Sequence, residues 1–339
     1  MENQKKSLAV KIILGVIAFI VCSIIGLSIW IFRPLKEVPP SELLPETTFS
    51  FFSLNLNIND PFLSEVMTMA EEQIVDENDG KIKKRLVNRA FSSALPRQLV
   101  GIVLLEDGKD EPELLFVASM GRIVRLAKLF SRFIDRALFK GEEVEKVRLG
   151  GHTFKSVVKT AEGRSPSAYS IIANNIVIGT TLSSVQASYK RYKENPSVDS
   201  YCKYLSGILL QASVQKDGFL YVDNNDGKLT RVIQKVEEEY AFAAFPSVEA
   251  VTTIDGYIGL LPEAAYGTLL FYCKDADRTD EVHSDVKFIY GALRRKFRAS
   301  DINLKGDIQT EDNSIKFSFQ IPDIMEIIRS KSILSGGDE

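Results

Sequence analysis

Histidine and cysteine are scarce in this 339-residue chain, with two and three copies, and there is a single tryptophan. His152 and His283 stand far apart, and no His or Cys pair has ligand spacing, so a transition-metal site would need carboxylates or Cys202 and Cys273 in addition. Three cysteines also make no disulfide framework; Cys202 and Cys273 either pair in an oxidising compartment or, the commoner outcome for so sparse a pattern, stay as free thiols. The chain lacks a Gly-x-Ser-x-Gly elbow, a Gly-x-x-x-x-Gly-Lys-Ser/Thr loop and a Gly-x-Gly-x-x-Gly turn opening a helix, which removes those routes to hydrolysis and nucleotide binding. Excess positive charge is missing too. Beyond residue 40 the chain holds 37 basic and 43 acidic residues, net −6, so it has no general footprint for nucleic acid. No catalytic residue, metal or cofactor is expected, and the protein is read as non-enzymatic.

What is present starts with residues 12–32, an unbroken uncharged and mostly apolar run of 21. As a helix it would extend about 31 Å, the thickness of a bilayer's hydrocarbon core. Lys5, Lys6 and Lys11 precede it, Arg33 and Lys36 follow, and Trp30 stands where an interfacial aromatic would. The run exceeds a signal peptide's apolar region, and Ser28 to Pro34 offers no small-x-small cleavage site. The expectation is a retained signal-anchor: a cytoplasmic tail over 1–11, a transmembrane helix over 12–32 and the bulk outside, in a single-pass protein of the inner (plasma) membrane. Pro34, Pro39, Pro40 and Pro45 make residues 33–47 an extended, semi-rigid linker.

Beyond the linker, periodicity sets the elements. Ser50 to Ile58 alternates apolar with polar and reads as a strand, stopped by Asp60 and Pro61 as cap and first residue of a helix. Strands over 99–105 and 114–120, a helix over 122–138, strands over 144–160 and 169–180 and a helix over 182–193 complete the first half, with Asn174 and Asn175 between apolar runs forming a tight turn. The second half repeats the order: a strand over 219–223, a helix opened by Asp226, strands over 248–260 and 266–273, a helix over 277–297, strands over 302–309 and 315–321, and a helix from Pro322. Asn57 to Pro61 matches Asp223 to Gly227, an Asn-Asp cap in each half. The predicted class is α+β: a transmembrane helix, then two pseudo-repeats of β-α-β-β-α-β-β-α over 48–196 and 197–332 with antiparallel sheets, and a disordered tail over 333–339.

The N-terminal run, the Leu44 to Thr48 lead into the first strand, and Gly151-His152-Thr153-Phe154 leading to Ala168-Tyr169-Ser170 and the hairpin to Gly179 carry a resemblance. The layout resembles single-pass bacterial envelope families described as domains of unknown function. The resemblance implies a repeated extracytoplasmic module and supplies no catalytic residues.

Two clusters call for chemistry. Asp223, Asp226 and the intervening asparagines suggest calcium, but Gly227 and the later glutamates fall at the wrong offsets for an EF-hand, and a helix cap explains them. On the helix over 122–138, Arg122, Arg125, Lys128, Arg132 and Arg136 share one stripe opposite Ile123, Leu126, Phe130, Phe133 and Ile134, with Asp135 the one acid. A single-sign stripe fits an anionic headgroup surface or an acidic partner. The expected function is membrane-anchored binding or scaffolding in the cell envelope, with the bilayer, an envelope protein or an anionic lipid as partner. The alternatives are a lipid or amphiphile carrier and an enzyme with an unrecognised site.

Overall fold

The computed structural model describes residues 37–57, 60–74, 96–109, 111–121, 124–125, 131–139, 142–157, 167–194, 200–215, 217–240 and 245–334. Its strands are β1 (Thr48–Asn55), β2 (Gln98–Leu104), β3 (Glu113–Ser119), β4 (Val144–Leu149), β5 (His152–Val157), β6 (Ala168–Ile172), β7 (Asn175–Gly179), β8 (Gly218–Asp223), β9 (Val251–Leu260), β10 (Ala264–Cys273), β11 (Lys305–Glu311) and β12 (Ser314–Pro322). The helices are α1 (Pro61–Ile74), α2 (Ser131–Phe139), α3 (Leu182–Glu194), α4 (Ser200–Gln215), α5 (Lys228–Tyr240), α6 (Thr279–Arg298) and α7 (Ile324–Leu334).

All twelve strands belong to one antiparallel sheet, in the order β11-β12-β10-β9-β8-β1-β2-β3-β7-β6-β5-β4. This corrects the expected pair of repeats with separate sheets. β1 and β8 pair from Ser50↔Val222 to Leu54↔Gly218, so main-chain hydrogen bonds run unbroken through the boundary placed at residue 196. The halves also differ in strand number. Gly150 and Gly151, both at positive φ (56° and 79°), make a two-residue turn that divides the predicted 144–160 strand into β4 and β5. The cap motif departs as well: Asp60 accepts from the backbone N–H groups of Phe62 and Leu63 at the start of α1, whereas Asn224, not Asp226, accepts from Thr230 in the first turn of α5.

The transmembrane, signal-anchor and single-pass expectations are corrected too. Among the described residues no helix is long and apolar enough to cross a membrane. α6, with 20 residues, has the length, but Asp280, Glu281, Asp285, Lys287 and Arg294 run along it. Residues 1–36, with the run at 12–32 on which the inner-membrane location rested, lie outside the described residues. The linker expected over 33–47 is no extended stalk where it is described. Pro40–Leu43 is a 3-10 turn, and Val38, Leu43 and Leu44 are fully buried. α7 likewise carries ordered chain to Leu334, into the predicted tail.

Two cores lie on opposite faces of the sheet. In β8, Tyr221 joins the first core and its neighbour Val222 the second, which alternation along a strand places on different faces. The first core gathers Phe51, Ile102, Leu115, Val117, Phe154, Ile172 and Val177 under α3, α4 and the Pro40–Leu43 turn. Ile254, Phe271, Ile315 and Phe317 form the second with Val248, Val282 and Val286 from the 246–250 turn and α6. Each large side chain so buried contributes about 1.5–3 kcal/mol. Gly179 allows the first packing to be close, since a Cβ there would lie 2.8 Å from Cγ2 of Val185 in α3. On the second side Asp285 accepts from the Ser247 backbone N–H (2.8 Å) and hydroxyl (2.6 Å), locking α6 to the 246–250 turn.

The buried backbone of Val38 is satisfied by the hairpin between β6 and β7. Its N–H donates to Asn174 Oδ1 (2.7 Å), and its carbonyl accepts from Asn175 Nδ2 (2.9 Å). Asn174→Ala should therefore lower unfolding free energy by about 1–3 kcal/mol, the cost of an unpaired buried donor, read from the urea midpoint at unchanged slope.

Candidate functional site

Because each core covers one face of its own half of the sheet, the first-core face continues past β8 with little above it among the described residues. Direct cross-strand partners place Tyr221, Asp255, Leu270 and Lys316 in one row across β8, β9, β10 and β12. Phe219, Tyr257, Thr268 and Ser318 form the next row, and Asp223, Thr253 and Tyr272 the row on the other side. Over the β8 edge of this surface lies α4. Together they enclose an open cleft of about 600 Å³, with Tyr204, Ile208, Gln211 and Ala212 from α4 on one wall and Phe219, Tyr221, Thr253, Asp255, Tyr257 and Tyr272 on the strands.

The tyrosines differ in burial. Tyr221 is 4% exposed, with one ring face stacked on Phe51 at 5.6 Å between centroids, and Tyr204 makes a T-shaped contact with it at 6.4 Å and 73°. Tyr204 and Tyr272 stay open to solvent, at 57% and 39%. Burial pushes the Tyr221 hydroxyl well above its ordinary value, reinforced by its hydrogen bond with Tyr204 and the nearby negative charges of Asp223 and Asp255. Tyr272 is raised as well, by burial and then by Asp255. Asp255 itself is pushed up by burial alone. Among the described residues none of the lining side chains is basic, and the lysine in the Asp255 row, Lys316, lies two strands away and 3.9 Å from Glu311. The chemistry on offer is ring faces, hydroxyl groups and negative charge, without a nucleophile paired to a base.

A second polar cluster looks more catalytic and is internally committed. His152 Nε2 lies 2.8 Å from Ser170 Oγ where β5 and β6 separate, beside a smaller cavity of about 320 Å³. The serine hydroxyl donates to the Thr153 carbonyl at 2.9 Å, an arrangement in which its proton is directed at the main chain and not at the ring. The imidazole also stacks on Tyr189 at 4.2 Å. On the other face, Asp135 of α2 accepts from Lys155 Nζ (2.6 and 2.8 Å) and from the Tyr169 hydroxyl (2.6 Å), which docks α2 onto β5 and β6. Burial first and that carboxylate second hold the Tyr169 hydroxyl far above its usual range.

Of the predicted basic stripe, Arg122 and Lys128 lie outside the described residues, Arg125 is buried at 9% exposure, and Arg132 and Arg136 are exposed on α2. The structure thus brings two of the five to a common open surface and turns a third inward. Asp135, the one acid among these basic residues, anchors the helix through Lys155 and Tyr169. Cys273 is a buried free thiol, raised by desolvation. Among the described residues no three His, Cys, Asp or Glu side chains form a metal-sized group, and Asp223 instead accepts from the backbone and side chain of Asn225. The cleft was missed because α4 was not predicted. Tyr201, Leu205, Ile208, Leu209 and Ala212 do recur at helical spacing, the signal that could have found it.

No protein-family model matches the sequence, and no curated protein matches it. Crystal forms III, IV and I of TP0453 align with 12%, 12% and 13% identity, over 87%, 86% and 87% of this chain and 99%, 97% and 98% of that one. Their TM-scores are 0.45, 0.43 and 0.41, a likeness too distant to carry an argument.

Removing Asp135 strands the Lys155 ammonium, whose side chain is 13% exposed. Asp135→Ala should cost about 2–3 kcal/mol, and a double-mutant cycle with Lys155→Met should show that most of it is coupling between the pair. For Asp255 the folded pKa lies above the unfolded one, so the native state keeps its proton to higher pH, and stability falls as pH rises above the ordinary carboxylate value of 3.8. The groups facing it are Tyr221, Tyr204, Tyr272, Asp223 and the Glu311-paired Lys316. Asp255→Asn should accordingly raise the thermal midpoint at pH 7 by about 2 °C, a gain that vanishes as the pH falls toward 4 in parallel melts.

Proposed function

We propose that this protein is a non-enzymatic binding or scaffolding module whose ligand site is the cleft between α4 and the uncovered face of β8, β9 and β10. The observation that carries the reading is the lining itself: open tyrosine rings over a partly desolvated carboxylate, on a rigid sheet, with no reactive pair. Tyrosine offers a large contact area with few torsions to immobilise, which suits recognition. The competing idea of an acyl-chain carrier is weakened by the Asp255 carboxylate on the cleft floor, because an alkyl chain laid over it would desolvate it further without a partner. An enzymatic reading loses its best constellation, since the Ser170 hydroxyl is held by a main-chain carbonyl.

Fragment screening by NMR on protein labelled at tyrosine tests the proposal. Hits should cluster on Tyr204, Tyr257 and Tyr272 and be lost in Tyr204→Ala combined with Tyr272→Ala. Hits that map mainly to the His152 cavity or scatter over the surface would overturn it.

A further inference from the structure

We infer that the cleft is built for an organic cation, a substituted ammonium group seated among the rings of Tyr204, Tyr257 and Tyr272 with Asp255 as its principal counter-charge. The inference rests on the cleft being the binding site and names the ligand's chemistry.

Three independent features of the site point the same way. First, among the described residues the lining supplies several tyrosine rings and one carboxylate but no lysine, arginine or histidine, so its charge complements a cation and opposes an anion. Asp223, on the same face in the adjoining row, adds a second negative charge near enough to raise both Tyr201 and Tyr221. Second, aromatic surface is open in the cleft: Tyr204 stands at 73° to the buried Tyr221 rather than stacked flat on it, and Tyr204 and Tyr272 remain 57% and 39% exposed, so ring faces are free to offer the negative side of their quadrupoles to a cation. Third, Asp255 on the cleft floor is partly withdrawn from water. The cost of keeping that carboxylate charged is relieved by a cation beside it, whereas a neutral sugar or an alkyl group leaves it uncompensated. The volume, about 600 Å³ and open on one side, admits an ammonium bearing several carbon substituents and leaves room for the rest of a larger molecule to extend into solvent.

Calorimetric titration of the full chain with choline chloride and, separately, with its neutral carbon isostere 3,3-dimethylbutan-1-ol decides the matter. Choline should bind saturably and at least tenfold more tightly than the isostere, and should shift the Tyr204, Tyr257 and Tyr272 ring signals. Asp255→Asn should weaken choline at least tenfold while leaving the circular dichroism intact and the thermal midpoint no lower. Tyr204→Leu should weaken it several-fold. Co-sedimentation with phosphatidylcholine vesicles, competed by free choline, would assign the ammonium to a lipid headgroup; choline binding without co-sedimentation would assign it to a free small molecule. Equal affinity for choline and the isostere would overturn the cation assignment while leaving the cleft a binding site. Choline binding that is indifferent to Asp255→Asn, or absent altogether, would also overturn it, and the fragment screen then decides separately whether the cleft binds anything.

Discussion

The pairing of β1 with β8 is the constraint on which the rest of the molecule depends. These two short strands bring together segments about 170 residues apart, and each contributes side chains to both cores: Phe51, Phe219 and Tyr221 to the first, Phe49, Leu220 and Val222 to the second. Neither core is complete without them. Loss of this pair would divide the sheet, open both cores along the break and detach α4 from its floor. The two halves are therefore expected to lose structure together, as one cooperative unit.

The offset of the helices follows from the same pair. Helices α3 and α4 cover one face of the first half, while α5 and α6 cover the opposite face of the second. Where the two arrangements meet, the sheet has a helix above it on one side and open tyrosine-bearing strands on the other. The cleft is this step in the layering, and it needs no insertion or flexible loop. Its floor is held by continuous strand pairing and its wall by Leu205 and Leu209, which root α4 in the first core.

Most of the local structure was legible in the chain. The alternation in β1, the Asp60-Pro61 start of α1 and the long strands β9 and β10 were readable because each is set by residues within a few positions of one another. Three features were not. The Gly150-Gly151 turn sits inside a run of strand formers, so that propensity outweighed the turn signal. Helix α4 carries Leu210 exposed beside Leu209 buried, which blurs its apolar stripe. The merging of two halves into one sheet depends on a contact between distant segments, which no local pattern encodes. Both walls of the cleft come from these last two features, which is why composition and motif searches pointed instead to a basic helix. The apolar run at 12–32 shows the converse: length and hydropathy set an expectation that no described helix supports.

An open sheet of twelve strands has two free borders, and both are built to repel. β4 presents Glu145, Lys146 and Arg148, and β11 presents Lys305, Asp307 and Glu311, nearly every position of either strand being in contact with water. A further strand laid against such a border would have to bury charge along its whole length, which halts lateral growth. The molecule can thus keep a broad hydrogen-bonded sheet open to solvent without its borders becoming the template for a fibril.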